Sequence, residues 1–197
     1  GLDSAVTLYF ARHKGDACFA LAFDYGQRHR RELRSARAVA KLAKVPFQIL
    51  KIKLPWKGSS LLDKKIPLPN RNKLRGIPST YVPARNTIFL SFALSYAEAI
   101  GARAILIGAN AVDFSGYPDC RPGFYRAFQR VAEQGTKEGK IKIVAPLLHM
   151  SKAQIVKLGR KLGVPLERTW SCYAGGSKPC SLCESCRLRE KGFREAK

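Results

Sequence analysis

The chain has 197 residues, 46% apolar and 25% charged, which is enough for one substantial core and describes an ordinary soluble globule. No run approaches the roughly 18 apolar residues of a membrane span and no signal peptide is visible, so a cytoplasmic chain without membrane contact is expected. With 36 Lys and Arg against 14 Asp and Glu the formal charge is +22, which suits an anionic partner such as a nucleotide, a carboxylated metabolite or nucleic acid without choosing among them.

Gly1-Leu2-Asp3-Ser4 reads as a strand-to-helix junction, whose backbone N–H groups, hydroxyl and positive helix end suit phosphate. Asp3 is out of place in a purely anion-binding loop; it could hold Mg²⁺, or Asp3 and Ser4 could simply cap the helix. Residues 17–23 form an apolar run whose length predicts a buried parallel strand with Cys18 in the core. Over 28–44, Leu33, Ala36, Ala40 and Ala43 recur at helical intervals among Arg and Lys, giving a basic amphipathic helix that Pro46 ends. A strand over 47–52 follows.

Segment 55–79, with Pro55, Pro67, Pro69 and Pro78, predicts a long irregular loop, a kind usually functional inside a compact domain. Next come a helix over 85–100 stopped by Gly101, a central strand over 104–107, and a second irregular stretch over 108–123. A short helix near 124–134 and a strand over 142–145 lead to Pro146. Ser151 and Gln154 have capping-box spacing for a helix over 152–162, which Gly163 closes. Strands alternating with helices predict a single domain over 1–197, an open α/β fold with a mostly parallel sheet. Ligands of such sheets collect beyond the C-terminal strand ends, so loops 24–29, 76–86, 108–121 and 146–152 are expected to share one cleft.

Cys172, Cys180, Cys183 and Cys186 form a C-x7-C-x2-C-x2-C cluster within a C-terminal module at about 168–192 that ends in a short basic helix. Four soft ligands complete a tetrahedral site and leave no open position, so the expected cofactor is one structural Zn²⁺. Iron–sulfur is the alternative, disfavoured by the lack of a second cysteine set. Trp170 could wall either this module or the cleft. His13, His29 and His149 are too widely spaced for a metal set, and His29 has the better functional case because it follows a strand-end motif.

Taken together, Gly1–Ser4, the Asp24-Tyr25-Gly26-Gln27-Arg28-His29 motif, the Pro78–Asn86 segment, the Gly108–Pro122 loop and the Thr169–Tyr173 run with the cysteines resemble one family. It is the 7-cyano-7-deazaguanine synthase family, in the ATP-pyrophosphatase superfamily. The resemblance covers nearly the whole chain, although the superfamily's Ser-Gly start of the phosphate loop and the strand before it are not in this sequence. It implies a Rossmann-like sheet of the ATP-pyrophosphatase type and a homodimer. The implied reaction is ATP-dependent conversion of 7-carboxy-7-deazaguanine and ammonia to 7-cyano-7-deazaguanine: adenylation of the carboxylate, amide formation, and a second activation that releases the nitrile. ATP with Mg²⁺ is the implied cosubstrate.

Residue by residue, the resemblance implies Gly1, Leu2, Asp3 and Ser4 at pyrophosphate, Asp3 also at Mg²⁺, and Tyr25 and Gln27 near the adenine or ribose. It implies Arg85 and Asn86 at nucleotide phosphate or the activated carboxylate, and Lys152 at developing phosphate charge. For the deazapurine, Asp113 or Asp119 can accept from its N–H groups, Tyr117 or Phe114 can stack on it, and Arg121 can pair with its carboxylate. A covalent step at Cys120 is conceivable but not required. Two rivals fit the charge: an ATP-dependent tRNA base-modifying enzyme, and a non-catalytic zinc-stabilised nucleic-acid-binding protein. Nucleic acid is thus not required, nor is it excluded.

Overall fold

The computed structural model describes residues 1–69, 76–112 and 116–197. Helix α1 spans Leu2–His13, strand β1 Ala20–Asp24, helix α2 Arg31–Leu42 and strand β2 Phe47–Lys51. After an irregular segment come helix α3 (Arg85–Ala99), strand β3 (Ala104–Leu106), helix α4 (Pro122–Gly135), strand β4 (Lys142–Val144), helix α5 (Lys152–Lys161) and helix α6 (Glu184–Glu195).

Both strand pairs are parallel, as alternating strands and helices require. β1 pairs with β2 from Ala20↔Phe47 to Asp24↔Lys51, and β3 pairs with β4 from Ala104↔Lys142 to Leu106↔Val144. Among the described residues the expected open sheet is therefore two short parallel pairs. Each strand has one hydrogen-bonded neighbour, which also corrects the reading of residues 17–23. Ala17 and Phe19 are exposed, Cys18 lies outside the strand, and β1 is only partly buried until Asp24. The apolar run was long enough for a strand, but the pairing with Phe47 starts only at Ala20.

Helix α2 is shorter than the predicted 28–44. Arg28 and His29 belong to the β1–α2 turn, where Arg28 donates to the carbonyls of Ser60, Ile66 and Lys64 at 2.8–3.2 Å and so ties down the irregular segment. Elsewhere local signals act as expected. Ser151 accepts from the Gln154 N–H and Gln154 accepts from the Ser151 N–H, so α5 begins with a full capping box. Gly101 and Gly163 follow α3 and α5 with φ of +67° and +66°, the left-handed turn that ends a helix. Helix α4 starts earlier than expected, at Pro122, whose missing N–H costs nothing at a first helical position.

The core has two main clusters. One joins Leu2, Ala5 and Val6 of α1 to Ile155 and Val156 of α5, with Leu147, Val164 and Leu166. Gly159 lets these helices meet: a Cβ there would lie 3.0 Å from both Val6 and Leu166. The other joins Leu90, Leu94 and Ala97 of α3 to Tyr125, Phe128 and Ala132 of α4, with Ile141 and Leu148. No helix among the described residues is long and apolar enough to cross a membrane.

Candidate functional site

Three pairs of loops are stitched together around the N-termini of α1, α3 and α5. The segment after β3 lies so close to the first turn of α1 that a Cβ on Gly108 would fall 2.7 Å from the Ser4 backbone nitrogen, so only glycine fits. Beyond it, Ala111 N–H donates to the Leu148 carbonyl at 2.9 Å, and Asn110, 2% exposed, donates to the carbonyls of Leu147 and Met150. The 76–86 segment is held to the 116–120 segment by Thr80 and Tyr117, whose hydroxyls share a short hydrogen bond, and by Asn86 with Asp119. These contacts put three of the four strand-end loops expected to form one cleft beside one another, and Arg85 joins the fourth through Tyr25.

Asp3, in the first turn of α1, meets Lys152, the first residue of α5. The Lys152 ammonium contacts both carboxylate oxygens at 2.8 and 2.9 Å, with the Lys152 side chain 7% and the Asp3 side chain 17% exposed. Asp3 thus shares the site with a cation, and the pair lies where the α1 N-terminus and the Gly108 turn converge. Gly192 of α6 closes the far side, since a Cβ there would lie 2.4 Å from the Lys152 Cγ.

Arg85 opens α3 from an unusual backbone. Ala84 before it has φ of +50°, a left-handed conformation rare for alanine, and donates its N–H to the Tyr81 hydroxyl at 3.0 Å. The half-buried Arg85 guanidinium donates to the Tyr25 hydroxyl at 3.3 Å and lies 5.9 Å from the ring centroids of Tyr25 and Phe89. Burial alone would lower its pKa, but Tyr25, Glu32 and Tyr173 together outweigh that and raise it, so Arg85 is a permanent cation. Phe89 stacks on Phe23 with centroids 4.1 Å apart, anchoring the arginine's platform to β1. Gln27 is used locally: it accepts from the Tyr25 N–H at 2.8 Å and donates to the Phe23 carbonyl at 3.2 Å, closing the turn that presents Tyr25.

The remaining site residues separate by burial. Asp119, 6% exposed, accepts the Asn86 N–H at 3.0 Å and so caps α3, while its carbonyl takes the Asn86 side chain at 2.9 Å and the Tyr125 hydroxyl at 3.1 Å. That binds the 118–120 turn to α3 and leaves Asp119 less free to meet a base. Arg121, at the α4 N-cap, is exposed and makes no side-chain hydrogen bond or ion pair among the described residues, so no such contact joins it to Asp3 or Arg85. Asp113 and Phe114 lie outside the described residues. Cys120 holds its proton: burial first, and then the Asp119 charge, push its thiol up to about 11, which argues against a nucleophilic thiolate at neutral pH.

The four cysteine sulfurs of the C-terminal module lie within 4.8 Å of one another, with Cys180 and Cys186 4.0 Å apart. A tetrahedron of Zn–S bonds of about 2.3 Å has edges near 3.8 Å, so the set fits one zinc ion. Backbone N–H groups of Ala174 and Cys180 point at the Cys172 sulfur at 3.4 Å each. Burial works against ionising Cys180, but N–H groups of Cys183 and Leu182 bring its thiol down to about 7. Burial drives Cys183 and Cys186 upward, so a bound cation is what would ionise them.

Trp170 resolves towards the module: it donates to the Cys172 carbonyl at 2.9 Å and carries the Arg31 guanidinium 4.2 Å above its ring. His29 does the same from the other side. Its Nε2 donates to the Cys172 carbonyl at 3.0 Å while Nδ1 accepts the Arg31 N–H at 3.3 Å, which fixes the tautomer and fastens the Tyr25 turn to the metal module. Sequence reasoning gave no role to Thr80, Tyr173, Glu184 or Arg189. Arg189 joins α6 to Thr169 at 2.7 Å and the Leu166 carbonyl at 2.8 Å. Nothing marks such residues in a sequence except their nearness to the motifs.

A parallel α/β frame with an acidic–basic cluster at its helix N-termini and a closed four-thiolate centre defines a nucleotide-handling protein with a structural zinc site. The whole chain, residues 1–197, matches the family model "Queuosine biosynthesis protein QueC", and the chain belongs to that family. It is 54% identical over 205 residues to a 7-cyano-7-deazaguanine synthase of Nostoc punctiforme, covering 99% of this chain and 92% of that protein. It is 50% identical to one of Thermoplasma volcanium, covering 100% and 84% respectively. The fold resembles that of an NMN synthetase from Francisella tularensis, with a TM-score of 0.53 and 15% identity over 100% of this chain and 83% of the other.

Proposed function

We propose that this chain converts 7-carboxy-7-deazaguanine, ATP and ammonia to 7-cyano-7-deazaguanine, acting as an ATP-dependent carbon–nitrogen ligase. The observation that carries this reading is the convergence of Asp3, Lys152, Tyr25 and Arg85 on one stitched set of loops, in a member of this family. A carboxylate is a poor electrophile, and transfer of AMP to its oxygen, with loss of pyrophosphate, gives it a leaving group. Ammonia displaces AMP to give the amide. A second ATP adenylates the amide oxygen, and loss of that AMP and the remaining N–H protons leaves the nitrile.

The α1 N-terminus with Gly1, Leu2 and Ser4 receives the pyrophosphate through backbone N–H groups and the Ser4 hydroxyl. Lys152 offsets developing phosphate charge, and Asp3 orients Lys152 and supplies an oxygen for Mg²⁺. Arg85, presented by α3 with Asn86 behind it, stabilises the negative charge of the transferring phosphate. Tyr25 and the Gln27 turn line the adenosine end, and Tyr117 and Asp119 the deazapurine end. Arg121 is assigned to the incoming carboxylate before activation, a role that needs its exposed side chain to turn inward. Zinc would be held by Cys172, Cys180, Cys183 and Cys186, and its part is to fasten this module against the Tyr25 turn through His29 and Trp170.

Reduced thiolates at that centre fit a cytoplasmic protein. A homodimer is supported by exposed apolar side chains on and beside α3 and α4, namely Phe92, Ile100 and Val131. Nitrile formation followed by mass spectrometry, with ATP, Mg²⁺, ammonium and the 7-carboxy substrate, tests the reading. Omission of ATP or of ammonium should abolish the product, and a folded, metallated sample that makes none with all components present overturns it.

A further inference from the structure

The one carboxylate oxygen left buried without a hydrogen-bond partner among the described residues is Oε2 of Glu184, the first residue of α6. Glu184 stands between the metal ligands Cys183 and Cys186, yet its side chain has no place in a closed four-sulfur centre. Tyr173, on which its charge acts, packs against both the cysteine cluster and the cluster of Tyr25, Leu61 and Val82. Tyr117, hydrogen-bonded to Thr80 and to Tyr173, carries the electrostatic influence of Glu184, and so does Tyr173. Arg85 acts on the same two phenols from the nucleotide side. Glu184 therefore lies at the junction of the metal module and the base end of the cleft. A buried carboxylate oxygen with no donor costs folding free energy, and a bound ligand that supplies an N–H removes that cost.

Resting on the function proposed above, we infer that Glu184 is a specificity-determining residue, whose Oε2 accepts a hydrogen bond from the N–H edge of the deazapurine ring. The 2-aminopyrimidinone edge presents adjacent N–H donors, and a carboxylate is the side chain that only accepts. Asp119 is less available for this task, because its carboxylate already caps α3. The geometry also gives the zinc centre a functional consequence. A residue fixed between two metal ligands cannot drift, so the module delivers a base-reading acceptor to the cleft as well as closing the fold.

Glu184→Gln keeps size and shape but turns one oxygen into a donor facing the N–H. In the full-length zinc protein, kcat/KM for the 7-carboxy substrate should fall about 10–100-fold, the worth of a charge-assisted hydrogen bond, through KM. KM for ATP and for ammonium and the zinc content should stay unchanged. A substrate analogue lacking the exocyclic amine should lose a similar factor with the unmodified protein and little more with Glu184→Gln. An unchanged KM for the substrate, a rise in the ammonium KM instead, or full additivity of variant and analogue would overturn the inference. Should Glu184→Gln lose zinc, the analogue's penalty against the unmodified protein, with Glu184→Asp as a second acceptor variant, still decides: no penalty, or none changed by Glu184→Asp, refutes it. If the unmodified protein converts nothing, the underlying function fails and this inference falls with it.

Discussion

Replacing Asp3 with Asn is the sharpest probe of how the site is held together. Lys152 is 7% exposed at its side chain and contacts both Asp3 oxygens within 2.9 Å, so the substitution leaves a buried ammonium without its countercharge. Breaking a buried ion pair from one side costs about 3–5 kcal/mol. Asp3 retains 17% exposure and Lys152 has a further interaction, which places the expected cost at the low end, about 3 kcal/mol. For a chain of this size that corresponds to a loss of about 6–12 °C in Tm. Lys152→Met should cost a comparable amount by stranding Asp3. The double variant strands neither charge, so the two costs should overlap with a coupling of about 2 kcal/mol or more. Scanning calorimetry of the four zinc-loaded proteins gives the cycle. Single costs under about 1 kcal/mol that simply add would refute a buried, mutually dependent pair.

Three further outcomes follow from the same geometry. Cys183→Ser should lose stoichiometric zinc and the folded module together, measured by metal analysis alongside near-UV circular dichroism; a native fold without metal would contradict the fastening role. Gly175→Ala adds a Cβ 2.2 Å from the His29 ring at a position with φ of +73°, and that ring is held at both nitrogens, so urea unfolding should show a loss of about 2–4 kcal/mol. The Cys120 thiol, raised to about 11 in the fold, favours the native state fully below its ordinary value of 9.0, and that contribution disappears as pH rises through about 11. Denaturant midpoints of the unmodified protein should therefore decline more steeply over this range than those of Cys120→Ala. Parallel curves would show that burial of this thiol is not linked to stability.

The two sources of information divide along physical lines. Helices with local signals were legible: Ser151 and Gln154 capped α5 as their spacing demanded, and Gly101 and Gly163 ended their helices. The metal cluster was legible because the ligands of a closed zinc site lie close in sequence. Strand limits were not, since Phe19 is apolar whether or not Pro46 and Phe47 lie opposite, and pairing decides where β1 starts. Side-chain roles that depend on a partner far along the chain were the least visible. Asp119 gives no sign in sequence that Asn86 will claim it, nor Asp3 that it will meet Lys152, 149 residues away. Glu184 was hidden for the opposite reason, because it sits inside a motif whose cysteines explain it too readily.

The most direct test uses 7-carboxy-7-deazaguanine carrying ¹⁸O in both carboxylate oxygens. Two successive adenylations at this site predict two AMP per nitrile, each AMP holding one ¹⁸O, and two pyrophosphates without label. Unlabelled AMP, or nitrile formed with ADP and phosphate in place of AMP and pyrophosphate, would contradict the account.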